Sequence, residues 1–338
     1  MTTMQGESAG LRRRHWLAIA PALWAAASGA AQAQAVEPAA DYPSRMVKLI
    51  VPYTPGGLVD AFARSMADDM SAQLGQPFVI VNRPGASQNI AAEAAARSAP
   101  DGYTLLVSSQ TGMILNPLTT KDLRVDPARD FTPVATMFST PSYLVVNSDV
   151  PVDSVQGLIA LAKARPGQLN YGSLGRGGSL HLMGETFKLR TGVNILHVAY
   201  KGSASALSDL VGGRIDMMFE GAASIQHHLE KGRLRALAST GDKRSEAMPD
   251  LPALNEIIPG FVMTAWFGLV APTGVPQPIV DKLNAAVQEA LNNPSMHEKF
   301  APMGIEMMPG SPADFRALIK SDIPKWAKIV RDAGIQPE

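Results

Sequence analysis

Two glycine-rich loops in the chain have the residue types that bind small anions. The first is VPYTPGGLVD, Val51 to Asp60, in which an apolar run is followed by Gly56-Gly57 and then by a helical pattern. Because glycine has no side chain, backbone N–H groups there can face a ligand, and the start of a helix adds partial positive charge. The alternative is an ordinary turn between a strand and a helix, with Asp60 as the N-cap.

The second loop, YGSLGRGGSLHLMGETF, repeats this design from Tyr171 to Phe187. A strand pattern ends at Ser173, three glycines follow, and Ser179 is placed to cap a helix that runs through His181 and Glu185. Two such loops facing each other would hold a small anion between two helix N-termini. The recurrence is stronger support for a binding site than either loop alone, since each loop alone would also suit a plain turn.

Other kinds of site have weaker support in the sequence. Neither loop matches a nucleotide-binding motif, since G-x-G-x-x-G and G-x-x-x-x-G-K-[ST] are both absent. His227 and His228 are adjacent, so they point to different faces of a helix and do not form a metal-binding pair. Ser173 lacks the glycine two residues earlier that a nucleophile elbow requires. His181 and His197 are candidate general bases, but packing or bracing of a loop is their simpler role. We therefore expect no catalytic residue, metal or cofactor.

The N-terminus has the pattern of a secretory signal peptide. Arg12 to Arg14 are followed by the apolar run Leu17 to Ala30 and by two A-x-A sites that end at Ala33 and Ala35. The alternative is a membrane anchor, but the run is shorter than the roughly 20 residues that a spanning helix needs. We expect residues 1–35 to be removed on export.

The composition limits the remaining possibilities. The 338 residues are 46% hydrophobic and 18% charged, which supports folded cores, and they include no cysteine. An exported chain without cysteine has no disulfide scaffold and depends on core burial for stability. The formal net charge is zero, and removal of three arginines and Glu7 with the signal peptide makes it slightly negative. A chain without a basic stripe is not expected to bind nucleic acid, and we expect a soluble monomer.

Apolar runs alternate with amphipathic stretches along the rest of the chain. Strand patterns such as VKLIVPY and YLVVN are apolar almost throughout, as expected of strands buried on both faces. The alternation predicts an α/β protein with mostly parallel sheets flanked by helices. We interpret DFTPVATMFSTPSYLVV and FVMTAWFGLVAP as crossovers between two lobes. Lobe 1 would then comprise residues 42–140 and 266–338, lobe 2 residues 141–265, and a ligand would lie between them.

These segments together resemble the periplasmic solute receptors of tripartite tricarboxylate transporters, often called Bug proteins. The resemblance covers nearly the whole chain after residue 35 and includes the segments QPFVIVNRPGA, APDGYTLLVSS, DLRVDPARDFTPVA, YGSLGRGGSLHLMGE and FGLVAPTGVPQPIVDKLNAA. It implies a two-lobed periplasmic binding protein of type II, a Venus flytrap, that closes on a small organic carboxylate without catalysis. The implied partner is the membrane permease of such a transporter.

The resemblance also implies which residues contact the ligand. The two loops would act as a pincer, in which backbone amides, hydroxyl groups and ordered water meet the carboxylate. The first loop would contribute Tyr53, Thr54, Gly56, Gly57, Leu58, Val59 and Asp60. The second would contribute Ser173, Gly175, Arg176, Gly177, Gly178 and His181. Ser108, Ser109 and Glu220 are expected in the walls of the site.

The chain departs from the family pattern at positions that bear on the ligand. Val59 and Gly178 stand where threonine or serine is frequent, and Ser87-Gln88 stands where glycines are common. The loss of two hydroxyl donors favours an anion with fewer carboxylates than a tricarboxylate, or an aromatic one, with Arg176 as a compensating charge. Two other functions stay open. One is an orphan receptor that presents its ligand to a membrane sensor, and the other is a periplasmic hydrolase that uses Ser173 and His181.

Overall fold

The computed structural model of the chain describes residues 38–337. The expected signal peptide, residues 1–35, and its cleavage sites lie outside the described residues. Within the described range, none of the helices has both the length and the apolar composition that crossing a membrane would require.

Eleven strands and twelve α-helices follow one another along residues 38–337. The strands are β1 (Val47–Val51), β2 (Phe78–Asn82), β3 (Thr104–Ser109), β4 (Phe131–Pro141), β5 (Tyr143–Asn147), β6 (Asn170–Ser173), β7 (Leu196–Ala199), β8 (Met217–Glu220), β9 (Leu234–Ser239), β10 (Thr264–Pro272) and β11 (Glu306–Met307). The helices are α1 (Leu58–Leu74), α2 (Asn89–Ala96), α3 (Asn116–Thr119), α4 (Pro127–Asp130), α5 (Val155–Ala164), α6 (Ser179–Thr191), α7 (Ser203–Val211), α8 (Ala222–Glu230), α9 (Leu254–Ile257), α10 (Gln277–Leu291), α11 (Pro294–Phe300) and α12 (Pro312–Asp332). A π-helical segment, Thr111–Leu115, follows β3.

The first sheet has the strand order β2-β1-β3-β10-β4-β11. β1 pairs in parallel with β2 and with β3, whereas β10 is antiparallel to both β3 and β4. The strands β1 to β4 therefore run in the same direction. β10 comes from late in the chain and is inserted between β3 and β4.

The second sheet, β7-β6-β8-β5-β9, has the same layout. β6 is parallel to β7 and β8, and β5 is antiparallel to β8 and β9. In this sheet β5 is the inserted strand, so β6 is the equivalent of β1 and β8 is the equivalent of β3. The prediction of mostly parallel sheets in an α/β protein is confirmed. The inserted antiparallel strand is the feature that the apolar runs did not indicate.

The chain passes between the two sheets at two buried crossings. Ser142 alone separates β4 from β5, and residues 240–263 separate β9 from β10. The Ser142 amide donates to Thr240 Oγ1 at 2.9 Å, and the Thr240 amide donates to the Ser142 carbonyl at 2.8 Å. The Met263 amide in turn donates to the Thr240 carbonyl at 2.9 Å. These bonds tie the two crossings to each other.

One apolar cluster extends across both sheets. It includes Trp266 of β10, Phe315 and Trp326 of α12, Phe187 of α6 and Phe219 of β8. Since α12 follows the first sheet in the chain and packs against α6, its apolar face is shared between the two sheets. The burial of these large side chains is a main source of stability in a chain without disulfides.

Candidate functional site

A cavity of about 760 Å³, called the cleft below, lies beside the residues that follow β1, β6 and β8. Ligands of α/β proteins usually bind beyond the carboxyl ends of parallel strands, which is where this cleft lies. Its lining includes Tyr53, Leu58, Gln88, Leu174, Gly178, His181, Met183, Lys201, Glu220, Ala265, Phe267 and Met303. Within residues 38–337, no group of three or more His, Asp or Glu side chains is placed to hold a metal ion.

The first loop is built around a hydrogen bond between Gly56 and Asp60. Gly57 is the N-cap of α1, with φ −77° and ψ 169°, and Gly56 has φ 84°, a conformation that suits glycine. Asp60 is the third residue of the helix, and its Oδ2 accepts a hydrogen bond from the Gly56 amide at 2.9 Å. The suggestion that Asp60 is the N-cap was therefore wrong. Its side chain reaches back and braces the loop, so the Gly56 amide is already used.

The carboxylate of Asp60 is buried and fully partnered. Arg64 Nε donates to Oδ2 at 2.9 Å, and Asn82 Nδ2 donates to Oδ1 at 2.7 Å. Burial raises the pKa of Asp60, but the hydrogen bonds from Arg64, Asn82 and Gly56 and the charge of Arg64 outweigh it and lower the pKa to about 2. Because Arg64 compensates this negative charge, the amides at the start of α1 remain suited to a second, external anion.

The second loop has the same geometry at equivalent positions. Gly178 is the N-cap of α6, with φ −73° and ψ 163°, and Gly177 has φ 75°. His181 is the third residue of this helix, and its Nδ1 accepts a hydrogen bond from the Gly177 amide at 3.0 Å. Ser179 is the first residue of the helix, which corrects the prediction that it is the N-cap. The two loops thus offer the same backbone arrangement from equivalent strands of the two sheets.

His181 and His197 brace the second loop. Their rings stack with centroids 4.0 Å apart, and His197 Nε2 lies 2.7 Å from Ser173 Oγ. The side chain of Ser173 is fully buried, so its hydroxyl does not face the cleft. It donates to the Gly175 carbonyl at 3.0 Å, and its histidine partner is His197 and not His181, which corrects the arrangement that the hydrolase alternative required. The simpler role predicted for these histidines, bracing of a loop, is what their contacts show.

We expect the stability of this part of the protein to depend on pH. Burial is the main cause that lowers the pKa of both histidines, and the neighbouring His181 helps to bring that of His197 to about 4. In the unfolded chain a histidine binds its proton near pH 6.5, whereas in the folded protein these two histidines bind theirs at a lower pH. Acidification through this range therefore stabilises the unfolded state relative to the folded state. The Tm should therefore fall as the pH is lowered from about 6.5 to about 4. Thermal unfolding at a series of pH values would measure this decrease.

His197→Gln should make this pH profile less steep, because glutamine can still bond Ser173 but does not titrate, whereas His181 still does. The matched control is His227→Gln, since His227 lies exposed on α8 and should leave the profile unchanged. An unaltered profile in His197→Gln would show that this histidine is not one of the groups that cause the pH dependence.

The structure brings five of the predicted site residues to the cleft. These are Tyr53, Leu58, Gly178, His181 and Glu220. Arg176 and Gly177 line a neighbouring hollow of about 250 Å³, together with Gly178. Thr54, Gly56, Gly57 and Gly175 lie in the loops with part of their surface exposed. Asp60, Ser108, Ser109 and Ser173 are buried and are not among the residues that line the cleft.

The side chain of Val59 points away from the cleft. It is 8% exposed and belongs to the apolar cluster that contains Phe62 and Phe138. A hydroxyl group at this position would lie in that core and not in the cleft. Contrary to the prediction from the sequence, the side chain of Val59 is therefore not expected to influence which acid binds. Gly178 does line the cleft, and the lack of a side chain there does widen it.

Among the described residues that line the cleft, Lys201 and Glu220 carry the formal charges. Glu220 already accepts hydrogen bonds from Ser203 Oγ at 2.6 Å and from the Gly221 amide at 2.9 Å. Much of the remaining wall is apolar and includes Phe267 and Met303. The cleft therefore suits a ligand with few charges and an apolar body.

Several of these lining residues were not found from the sequence. Phe267 lies in the inserted strand β10, and Lys201 follows β7, so their place in the cleft depends on the pairing of distant strands. Gln88 lies in the turn after β2, where its side chain contacts Tyr53 and Ser109. The only sequence signal for Gln88 was the unusual Ser87-Gln88 pair after Gly85.

Comparison with known proteins agrees with this geometry. A family model described as the tripartite tricarboxylate transporter family receptor matches residues 62–335. The protein BugT of Bordetella pertussis is 38% identical over 299 residues, which cover 87% of this chain and 90% of BugT.

Two solved structures of relatives contain carboxylates. Rpa4515 of R. palustris, solved with adipate, is 40% identical with a TM-score of 0.78, and the match covers 88% of this chain and 100% of that one. MatC of Rhodopseudomonas palustris, with bound malate, is 31% identical with a TM-score of 0.72, and the match covers 86% and 100%. The predicted two-lobed binding-protein fold is confirmed by these similarities.

Proposed function

Because the chain belongs to the tripartite tricarboxylate transporter receptor family, whose members are periplasmic solute-binding receptors and not enzymes, we propose that it binds a small organic carboxylate in the cleft and delivers it to a membrane permease. The observation that carries this proposal is the matched pair of loops. Each places a helix N-terminus, with its unpaired amides, beside the same cavity. Two such helix ends, supplied by two sheets, suit one carboxylate held from both sides.

The lining of the cleft supports a ligand with one or two carboxylates. Lys201 is the cation among the described lining residues, and three carboxylates would leave charges uncompensated near the acidic Glu220. A largely apolar wall favours an acid with a hydrocarbon or aromatic body. Adipate and malate in the relatives' structures are of the same general class.

Closure of two lobes on the ligand would connect binding to transport. We propose residues 42–140 and 266–338 as lobe 1, residues 141–265 as lobe 2, and the buried crossings near Ser142 and Thr240 as the hinge. A ligand favours the closed state only if it binds that state better, and contacts from both loops provide this difference. After export and removal of residues 1–35, the closed form would present the surface that the permease recognises.

A thermal-shift panel tests the binding proposal directly. We expect at least one of adipate, malate, citrate, benzoate and glutamate to raise the Tm, because a ligand at 100 times its Kd stabilises the folded state by about 2.7 kcal/mol. Adipamide, which has the carbon chain of adipate without its charges, is the matched control and should give no shift. No shift with any acid of the panel would contradict the proposal. Slow conversion of the stabilising acid would favour an enzyme instead.

Delivery to a permease needs a separate test in cells. Deletion of the gene should abolish uptake of the stabilising acid in labelled form, and restoring the full-length chain should recover it. Normal uptake together with loss of an acid-dependent transcriptional response would indicate a sensor partner instead.

A further inference from the structure

The turn between β2 and α2 contains three consecutive non-glycine residues in the left-handed region of the backbone. Ala86, Ser87 and Gln88 have φ values of 45°, 49° and 79°, directly after Gly85. Residues with a β-carbon are unfavourable in this region, and such runs persist only where the surroundings hold them. We therefore look for contacts of the side chains in this turn that hold the unfavourable backbone conformation.

The contacts of Gln88 show what holds the turn in place. Its Nε2 donates to Tyr53 Oη at 2.9 Å and to Ser109 Oγ at 2.8 Å, and Ser109 Oγ lies 3.0 Å from its Oε1. The residue is 9% exposed. A β-carbon on Gly112 would come within 2.9 Å of Gln88 Oε1, so the glycine makes room for this carboxamide. The side chain thus joins the carboxyl ends of β1 and β3.

The hydrogen bond that Gln88 donates to Tyr53 determines the direction in which the Tyr53 hydroxyl can itself donate. Tyr53 Oη accepts a hydrogen bond from Gln88 and is also hydrogen-bonded with the Ser109 hydroxyl, so the acceptors within reach of its proton are Ser109 and a ligand in the cleft that Tyr53 and Gln88 line. Burial raises the pKa of Tyr53 to about 12, so the hydroxyl keeps this proton at neutral pH. Tyr53 belongs to the first loop, two residues after the end of β1, so its side chain lines the cleft on the side where the anion would bind.

We propose that Gln88 is a specificity-determining positioning residue, which holds the Tyr53 hydroxyl as a hydrogen-bond donor to an acceptor oxygen of the bound acid. This inference rests on the proposed function of the cleft. The left-handed turn is the backbone conformation that carries the carboxamide to Tyr53. The ligand class that follows is an acid with an oxygen acceptor near the first loop, in addition to the oxygens that the helix amides bind.

The test is a double-mutant cycle with whichever acid of the panel above raises the Tm most. Gln88→Gly and Tyr53→Phe should each weaken its binding about tenfold, as expected for the loss of one hydrogen bond to a charged or polar acceptor. If Gln88 acts through Tyr53, the double variant should bind little worse than either single variant. Titration calorimetry gives the four dissociation constants. If Gln88 had only a structural role, the losses of affinity in the two single variants would multiply in the double variant, or Gln88→Gly would lose no affinity.

Two further variants separate the proposed role from backbone strain. Ala86→Gly replaces an unfavourable left-handed residue of the same turn by glycine. Because Ala86 is exposed and does not line the cleft, this variant should keep the wild-type affinity. Gln88→Glu should bind worse than Gln88→Gly, because a carboxylate would accept the Tyr53 proton and repel the ligand. Wild-type affinity in Gln88→Gly or Gln88→Glu would overturn the inference alone. Failure of the wild-type protein to bind any acid would instead overturn the proposed function, and this inference with it.

Discussion

Replacing Gly57 by valine is expected to abolish carboxylate binding while the protein stays folded. Gly57 has an extended backbone that any residue can adopt, and an added β-carbon would meet only the Thr54 carbonyl, at 3.7 Å. The new methyl groups would cover the amides at the start of α1. Loss of two charge-assisted hydrogen bonds corresponds to an affinity reduced about a hundredfold or more. Titration calorimetry with the stabilising acid, beside a thermal melt without it, measures both quantities.

Two companion variants make this result specific. Ala72→Val adds methyl groups to the exposed far end of the same helix, so it should keep the wild-type affinity. Gly178→Val lies at the equivalent position of the second loop, has no atom within 4 Å of an added β-carbon, and should lose binding like Gly57→Val. Retained affinity in Gly57→Val would mean that the first loop does not approach the ligand.

Asp60→Ala is expected to have the largest effect on stability, lowering the free energy of unfolding by about 3 kcal/mol. The carboxylate is 2% exposed, and its removal would leave the Gly56 amide, the Asn82 carboxamide and part of the Arg64 charge without their acceptor. Asn82 also donates to the Tyr53 carbonyl at 3.0 Å, so loss of its Asp60 acceptor would loosen a side chain that holds this loop. Urea denaturation at neutral pH measures the change.

Glu93→Ala is the matched control for Asp60→Ala. It breaks another ion pair between residues four apart on a helix, Glu93 with Arg97 at 2.7 Å, but the Arg97 side chain is 71% exposed. Exposed pairs of this kind contribute less than about 1 kcal/mol. Equal effects of the two substitutions would show that burial and the extra donors add nothing at Asp60.

The elements that position the site could be predicted because their signals are local. The apolar runs of β1 and β6 and the glycines after them identify two equivalent loops without knowledge of the fold. The direction of Val59 was not predictable in this way. It depends on the residue at which α1 begins, and Leu58 and Val59 are both apolar, so the sequence does not show which one faces the core.

Other features of the site depend on contacts between distant parts of the chain. Ser173 meets His197 because β7 pairs with β6, and local pattern gives no indication of that neighbour. The left-handed turn at Gln88 is more difficult still, since alanine, serine and glutamine have no local preference for positive φ. Tertiary contacts with Tyr53 and Ser109 hold this conformation.

Because α12 and the second sheet share one apolar cluster, the two proposed lobes cannot be produced as separate polypeptides without exposing it. Trp326 belongs to α12, yet it lies in one cluster with Phe187 and Phe219 of the second sheet. Each half, produced as a separate polypeptide, would present part of this cluster to water as an aggregation-prone surface. A split version, for example one used as a fluorescent sensor for acids, would therefore need to keep residues 312–332 on the same polypeptide as residues 179–191. The proposed boundary between the lobes is therefore not a place where the chain can be cut without exposing this cluster.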